Sequence, residues 1–251
     1  MNFKGKVAIV TGAGSERGIG RETANILAKL GATVVIGDMN LEGAKKAALE
    51  IEKVGGKALA VSLNVTDEVS VSNMVDLVVN TYGRIDILVN NAGITQPIKT
   101  LDMSVEDFNR ILNVNLLGTF ICSKKVIPEM AKNNFGRIIN MSSVSGKRGG
   151  GVYGGSHYSA AKAGILGFSK ALAREVVANG ITVNSVCPGL VATDIRQGLS
   201  DETERAIWET IPMKRPGTTS EIGYTVAFLA SDEAAYITGE DIDVNGGSHM
   251  D

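Results

Sequence analysis

Short apolar runs rich in valine and isoleucine recur along the chain, separated by stretches of helical length. The runs are KVAIVTG, TVVIGD, KALAVSLN, DILVNNAG, RIINMSS, ITVNSVCPG and EDIDVNGG. This alternation predicts a parallel sheet joined by crossover helices. VAIV and DILV are apolar at nearly every position rather than at alternate ones, which predicts burial on both faces and helices on both sides. The clearest helix opens near Asp67. Val71, Met74, Val75, Val78, Val79 and Tyr82 fall at offsets 0, 3, 4, 7, 8 and 11, one apolar face that Gly83 closes. No repeat, linker or low-complexity stretch interrupts residues 1–251. The pattern predicts a single α/β domain, a doubly wound parallel sheet with helices on both faces, and the stretch around residues 190–215, an amphipathic piece between turn-forming ends, reads as a lid.

Composition narrows the function. The chain is 44% hydrophobic and 21% charged, an ordinary globular balance. Its formal net charge is −2 and 5% of its residues are aromatic. It therefore has no positive field to gather phosphodiesters, which argues against nucleic acid and for a small-molecule partner. The opening MNFKGKVAIVTG has at most six apolar or neutral residues in a row, too few for a signal-peptide core or a membrane span. Cys122 and Cys187, 65 residues apart in apolar surroundings, have no metal-ligand spacing. They read as buried thiols in a reducing compartment, so a cytoplasmic protein with no membrane partner and no metal is expected.

The stretch VAIVTGAGSERGIGRETANILAKLGATVVIGD reads as strand, glycine-rich turn, helix and second strand, ending at Asp38. Gly12, Gly18 and Gly20 sit where a strand turns tightly and lets phosphates approach backbone amides. The helix that follows presents an amino end that favours negative charge. Asp38 lies 18 residues after Gly20, placed to accept hydrogen bonds from an adenosine ribose diol.

TGAGSERGIG at 11–20, NNAG at 90–93, SS at 142–143, YSAAK at 158–162 and PGLVAT at 188–193 occur in that order over essentially the whole chain. In these motifs and in the tail SDEAAYITGEDIDVNGG the sequence resembles the short-chain dehydrogenase/reductase family. The family usually places three residues between its first two motif glycines, whereas five separate Gly12 from Gly18 here. That difference implies a longer phosphate loop in which Gly12, Gly18, Ile19 and Gly20 keep their roles. The resemblance implies a Rossmann-type fold, a nicotinamide dinucleotide cofactor and a homotetramer. It places Asn91, Ala92, Gly93, Pro188, Gly189 and Val191 along the cofactor, with Thr193 bonded to its carboxamide or pyrophosphate. Asn64 stands where the family usually has an aspartate, followed by Val65, and its amide would meet the adenine edge.

Two charges bear on the form of the cofactor. Asp38 would repel a 2′-phosphate, which argues for NAD(H). Arg17 is where NADP(H)-preferring relatives often carry a basic residue. The carboxylate is given more weight, because a like charge about 4 Å away costs on the order of several kcal/mol at intermediate dielectric.

VYGGSHYSAAK, residues 152–162, offers two tyrosines. Tyr153 is followed by two glycines that read as loop, so it cannot share a helix face with His157. Tyr158 and Lys162 open a good helix at i and i+4 and stack one turn apart. A phenol ionises near pH 10, so a base near neutrality needs a lowering worth roughly 3 to 4 kcal/mol. An ammonium at about 4 Å contributes about 4 kcal/mol at an effective dielectric of 20, so Lys162 alone is expected to come close. The resemblance assigns Ser143 to the substrate oxygen beside Tyr158 and Lys162 also to the nicotinamide ribose. It assigns Asn115, in NVNLLG, to a helix bend and a water that links Lys162 to solvent. No metal is needed.

Segments 93–100, 144–157 and 193–215 lack a strong period and flank this site. Gln96, Tyr153, His157 and Trp208 are expected pocket walls, Trp208 equally placed to pack under the lid. Lys147 and Arg148 read as a solvated pair that could also attract an anionic substrate. The leading function is an NAD(H)-dependent oxidation of a secondary alcohol or reduction of a ketone, with Tyr158 as general acid and base. The alternative is a 3-oxoacyl-carrier-protein reductase, a branch that tends to use NADPH and to carry carrier-binding arginines where this chain has Asn134 and Asn179. A third reading, a silent dinucleotide-binding protein, conflicts with the presence of Asn115, Ser143, Tyr158 and Lys162 together.

Overall fold

In a computed structural model, which describes residues 1–150, 154–193 and 201–251, the seven apolar runs form one seven-stranded sheet. The strands are β1 (Val7–Thr11), β2 (Thr33–Asp38), β3 (Lys57–Ser62), β4 (Ile87–Asn90), β5 (Gly136–Met141), β6 (Ile181–Pro188) and β7 (Asp241–Val244). Their order is β3-β2-β1-β4-β5-β6-β7, and each neighbouring pair runs parallel. The chain winds outward from β1 to β3 and then returns to add β4 on the other side. That reversal opens a crevice at the carboxyl ends of β1 and β4, where open α/β sheets take their ligands.

Helices cover both faces. On one side lie α1 (Ile19–Lys29), α2 (Leu41–Lys53) and α9 (Thr219–Ala230), which bury Leu27, Ile51 and Val226 against Val34 and Ile36. On the other lie α3 (Glu68–Tyr82), α5 (Gly118–Lys132) and α7 (Ser156–Val176), which bury Val78, Val126 and Val176 against Ile9 and Leu88. β1, β4, β5 and β6 are buried at every position, which is why their sequences do not alternate. The edge strands β3 and β7 are partly exposed throughout, and β2 only at its two ends. Each fully buried Ile, Leu or Val contributes roughly 1.5–3 kcal/mol, so the two layers hold the strand ends rigidly under the crevice.

The expected helix after Asp67 has the expected ends. The Asp67 carboxylate accepts from Val69 N, and Gly83 closes the helix at φ 74°. The remaining helices are α4 (Val105–Leu112), α6 (Val144–Arg148) and α8 (Asp201–Glu209). Between α4 and α5 the chain widens into a π-helical turn at Asn113–Leu117. Asn115 causes it: its Nδ2 donates to Ile111 O and to Ile94 O, both at 2.9 Å, and so occupies a carbonyl of its own helix. Of the expected lid, residues 194–200 lie outside the described residues. No helix among the described residues is long and apolar enough to cross a membrane.

Candidate functional site

β1 ends at Thr11, and the glycine-rich turn follows at once. Gly12 has φ 65°, and a Cβ there would lie 2.6 Å from Ala92 Cα, so only glycine lets the loop rest on the end of β4. A Cβ on Gly20 would lie 2.4 Å from Asn91 Nδ2 and 2.7 Å from Gly12 O. Gly20 thus seats α1 beneath the turn and does not itself line the crevice. Asn91 Nδ2 donates to Thr11 O and Gly12 O, while Thr11 Oγ1 accepts from the N–H groups of Asn91 and Ala92. Thr11 is a member of this clamp that sequence reasoning missed; its position as the last residue of β1 was the available signal.

The glycine-rich loop reaches Asp38 through Gly14. One Asp38 oxygen accepts from Gly14 N at 2.8 Å and the other from Asn40 N at 2.9 Å. The carboxylate is therefore fixed in direction at the end of β2, with lone pairs left for a ligand hydroxyl. Arg17 is exposed and is not among the residues that line the cleft, whereas Gly18 and Ile19 are. Asn64 departs from expectation. Its Oδ1 is committed to Thr66 N and Thr66 Oγ1, and Leu63 and Val65, on either side of it, line the cleft instead.

The cleft has a volume of about 500 Å³ and runs from Asp38, past Ala92 and Gly93, to Ser143 and Tyr158. Pro188, Gly189, Val191 and Thr193 line its other wall. The backbone after β6 is held there by a bridge in which Ala192 N donates to Gly217 O and Gly217 N donates to Leu190 O. The length, the two glycine approaches at Gly12 and Gly93, and an acceptor at the far end fit a dinucleotide.

At the inner end, α7 opens at Ser156, after Gly154 and Gly155, so Tyr158 and Lys162 share a helix face as expected. Lys162 Nζ lies 5.6 Å from the centre of the Tyr158 ring. A Cβ on Gly154 would lie 2.6 Å from Tyr158 Cδ1, so the loop closes directly onto the ring. Ser142 Oγ donates to Lys162 O at 2.8 Å and ties the end of β5 to α7. Ser143 caps α6 by accepting from Ser145 N, and both Ser143 and Tyr158 line the cleft. A Cβ on Gly93 would meet Asn115 Oδ1 at 2.6 Å and Lys162 Nζ at 3.5 Å, so both atoms face one glycine. Beneath them, Asn90 Nδ2 donates to Asn140 Oδ1, and Asn140 Nδ2 donates to Ser169 Oγ. This buried chain joins β4, β5 and α7, and no periodicity in the sequence announced it.

The electrostatics correct one expectation. Burial raises the Tyr158 pKa, and the group that pulls it down is the Ser143 hydroxyl, not Lys162. The lysine ammonium is directed to Met141 O at 2.7 Å. Burial also lowers the Lys162 pKa to about 8, with Cys187 opposing the shift. A lysine whose folded pKa lies below its unfolded value destabilises the fold while charged. That cost is complete below about pH 8 and is relieved as pH rises from about 8 to 10.5. Wild type is accordingly expected to gain stability relative to Lys162→Met by up to about 3 kcal/mol across that window. Urea midpoints of both proteins at pH 7.5 and pH 10 measure the difference, and titrations common to both cancel.

Of the four expected pocket walls, Gln96, His157 and Trp208 do not line the cleft. Gln96 is committed to α4, donating to Asp107 Oδ1 and accepting from Arg110. His157 is fully buried, its Nδ1 accepting from Tyr158 N at 2.9 Å, and it does not reach the cleft. Trp208 is half-buried, and the residues of that region lining the cleft are Ile207, Thr210 and Ile211. The i and i+4 spacing of the two isoleucines was the signal for them. Tyr153 lies outside the described residues. Ile94 and Leu190 complete the apolar wall. Lys147 is paired with Asp243 and Asp251, whereas Arg148 lines the cleft. Among the described residues, Asp243, His249 and Asp251 are the one grouping with metal-ligand spacing, and Lys147 is bonded to both of its acids.

A parallel sheet with a glycine-rich turn at its crossover crevice, facing a serine, tyrosine and lysine at the inner end, defines a nicotinamide-dinucleotide oxidoreductase. The comparisons agree. Residues 12–249 match a family model described as enoyl-(acyl carrier protein) reductase. An uncharacterized short-chain type dehydrogenase/reductase of Sinorhizobium fredii is 49% identical over 249 residues, covering 98% of both chains. The 3-oxoacyl-[acyl-carrier-protein] reductase of Escherichia coli is 48% identical over 250 residues, covering 100% of both. The crystal structure of a short-chain type dehydrogenase/reductase from Mycobacterium marinum superposes with a TM-score of 0.94 at 35% identity, covering 100% of this chain and 98% of that one. The chain belongs to the short-chain dehydrogenase/reductase family, oxidoreductases that act on carbonyl and alcohol groups.

Proposed function

We propose that this protein is an NAD(H)-dependent oxidoreductase that interconverts a secondary alcohol and a ketone. The observation that carries the cofactor choice is Asp38, its carboxylate fixed by Gly14 N and Asn40 N at one end of the cleft. Among the described residues the lysine and arginine lining the cleft are Lys162 and Arg148, both beside Ser143 and Tyr158 rather than Asp38, and Arg17 is exposed and does not line it.

When bound, the nicotinamide ring supplies or accepts the hydride. The chain's own groups manage the oxygen. Ser143 accepts from Ser145 N and is left to donate its own O–H toward the substrate oxygen. Tyr158 holds the proton: burial keeps the phenol protonated near neutrality, which suits donation to a carbonyl oxygen during reduction. Lys162, with a pKa near 8, and Asn115 Oδ1 flank the route by which that proton is replaced.

A second reading is 3-oxoacyl-carrier-protein reduction, favoured by the 48% identity over the full length of the Escherichia coli reductase. Asn134 and Asn179 do not decide against it. Both are exposed just ahead of β5 and β6, at the end of the sheet opposite the cleft, so they do not touch the chemistry at Tyr158.

Titrating the purified protein with NADH and NADPH, followed by nicotinamide fluorescence, separates the two. NADH is expected to bind at least about tenfold more tightly, given the like-charge cost at Asp38. Tighter NADPH binding would make the carrier-linked reading the leading one.

A further inference from the structure

The inner end of the cleft holds a cation that the proposed hydride chemistry does not use. α6 spans the short distance from the Ser143 cap to Arg148, about 7.5 Å along the axis at roughly 1.5 Å per residue. The helix is anchored on two sides. Gly146 lies against α7, where a Cβ would fall 2.7 Å from Lys162 C. Lys147 is bonded to Asp243 at 3.0 Å and to Asp251. Arg148 is thus presented from the same rigid turn that positions Ser143.

The two adjacent cations are in different states. The Lys147 side chain is 8% exposed and bonded to two carboxylates. Arg148 is exposed, and among the described residues no carboxylate lies within ion-pair distance of it. Its NH1 donates to Ser248 O at 2.9 Å, and both Arg148 and Ser248 line the cleft. A guanidinium has five N–H donors, so one bond orients it and four are left. The two acids beside Lys147, Asp243 and Asp251, are bonded to that lysine, with Asp251 also bonded to His249. Around the inner end the walls are mostly apolar, with Ile94, Val144, Leu190, Ile207 and Ile211. An ion pair formed against such walls is screened less than one on an open surface.

Resting on the oxidoreductase reading above, we propose that Arg148 receives the carboxylate of the substrate, which makes the substrate class hydroxy acids and their oxo acids. The carboxylate lies several bonds from the carbon that reacts at Ser143 and Tyr158. A single guanidinium matches one carboxylate, which its planar fork accepts through two parallel bonds.

The test compares 5-oxohexanoate with its methyl ester, using NADH, in wild type, Arg148→Met and Arg148→Lys. Wild type is expected to favour the free acid in kcat/KM by at least about tenfold. In Arg148→Met the acid-to-ester ratio should fall by about tenfold or more, through KM rather than kcat, while Arg148→Lys keeps most of it. A wild type that favours the ester, or a ratio untouched in Arg148→Met, overturns the proposal. A parallel measurement follows glutarate binding by calorimetry and needs no turnover. Weaker glutarate binding in Arg148→Met supports the carboxylate site even if neither ketone is reduced, an outcome that would count against the oxidoreductase reading alone. Equal binding in the two proteins, or none in wild type, overturns the carboxylate site.

Discussion

Tyr158→Phe is expected to lower kcat by about 10²- to 10⁴-fold, the range for removing a positioned proton donor. The phenyl ring keeps every packing contact of the tyrosine. It still meets Gly154 and still lies under Lys162, whose ammonium remains on Met141 O. Folding and dinucleotide binding should therefore survive, and the loss should appear in turnover. Steady-state NADH oxidation on the variant, with a fluorescence titration of NADH alongside, checks both halves. Turnover within about tenfold of wild type would show that another group delivers the proton. Ser143 alone is a poor substitute, because an aliphatic hydroxyl is a far weaker acid than a phenol. Tyr153→Phe serves as the contrast, with an expected effect on substrate affinity rather than on the chemical step.

The parts of this site that could be read from the sequence are those dictated by local geometry. Gly12 must adopt φ 65°, and Tyr158 and Lys162 must share a face once a helix starts after two glycines. Apolar runs without alternation gave the buried strands, and Gly83, left-handed, gave a helix end. What could not be read depends on which distant partner a side chain meets. Gln96 looked available until Asp107 and Arg110 on α4 took both ends of its amide. His157 adjoins Tyr158 in sequence, yet a residue one step along a helix points about 100° away, and it is fully buried. Lys162 was expected to tune Tyr158 by charge, a judgement made from spacing alone. Spacing cannot show that Met141 O would claim the ammonium or that burial would bring its pKa down to about 8. Lys147 and Arg148, neighbours of the same type, were indistinguishable until Asp243 and Asp251 were placed beside only one of them.

The second large effect is expected at Asp38. Its two oxygens do separate work. They accept from Gly14 N, which anchors the glycine loop, and from Asn40 N at the start of α2, and they carry the charge that would oppose a 2′-phosphate. Asp38→Asn removes the charge and keeps one oxygen acceptor, so the loop retains part of its anchor. A carboxylate about 4 Å from one phosphate charge costs about 4 kcal/mol at an effective dielectric of 20, less where solvent reaches it. The proposed preference for NADH over NADPH should accordingly fall by about 10²-fold or more in Asp38→Asn, chiefly through tighter NADPH binding. Asp38→Ala removes the charge and both acceptors. It should relax the preference to a similar degree and also weaken both cofactors together, because Gly14 and Asn40 lose their partner. Comparing the two variants by fluorescence titration separates repulsion from scaffolding: the ratio of the two cofactors reads the charge, and their shared loss reads the loop. If the ratio moves in neither variant, discrimination lies with another group of the longer loop, and the exposed Arg17 becomes the residue to change next.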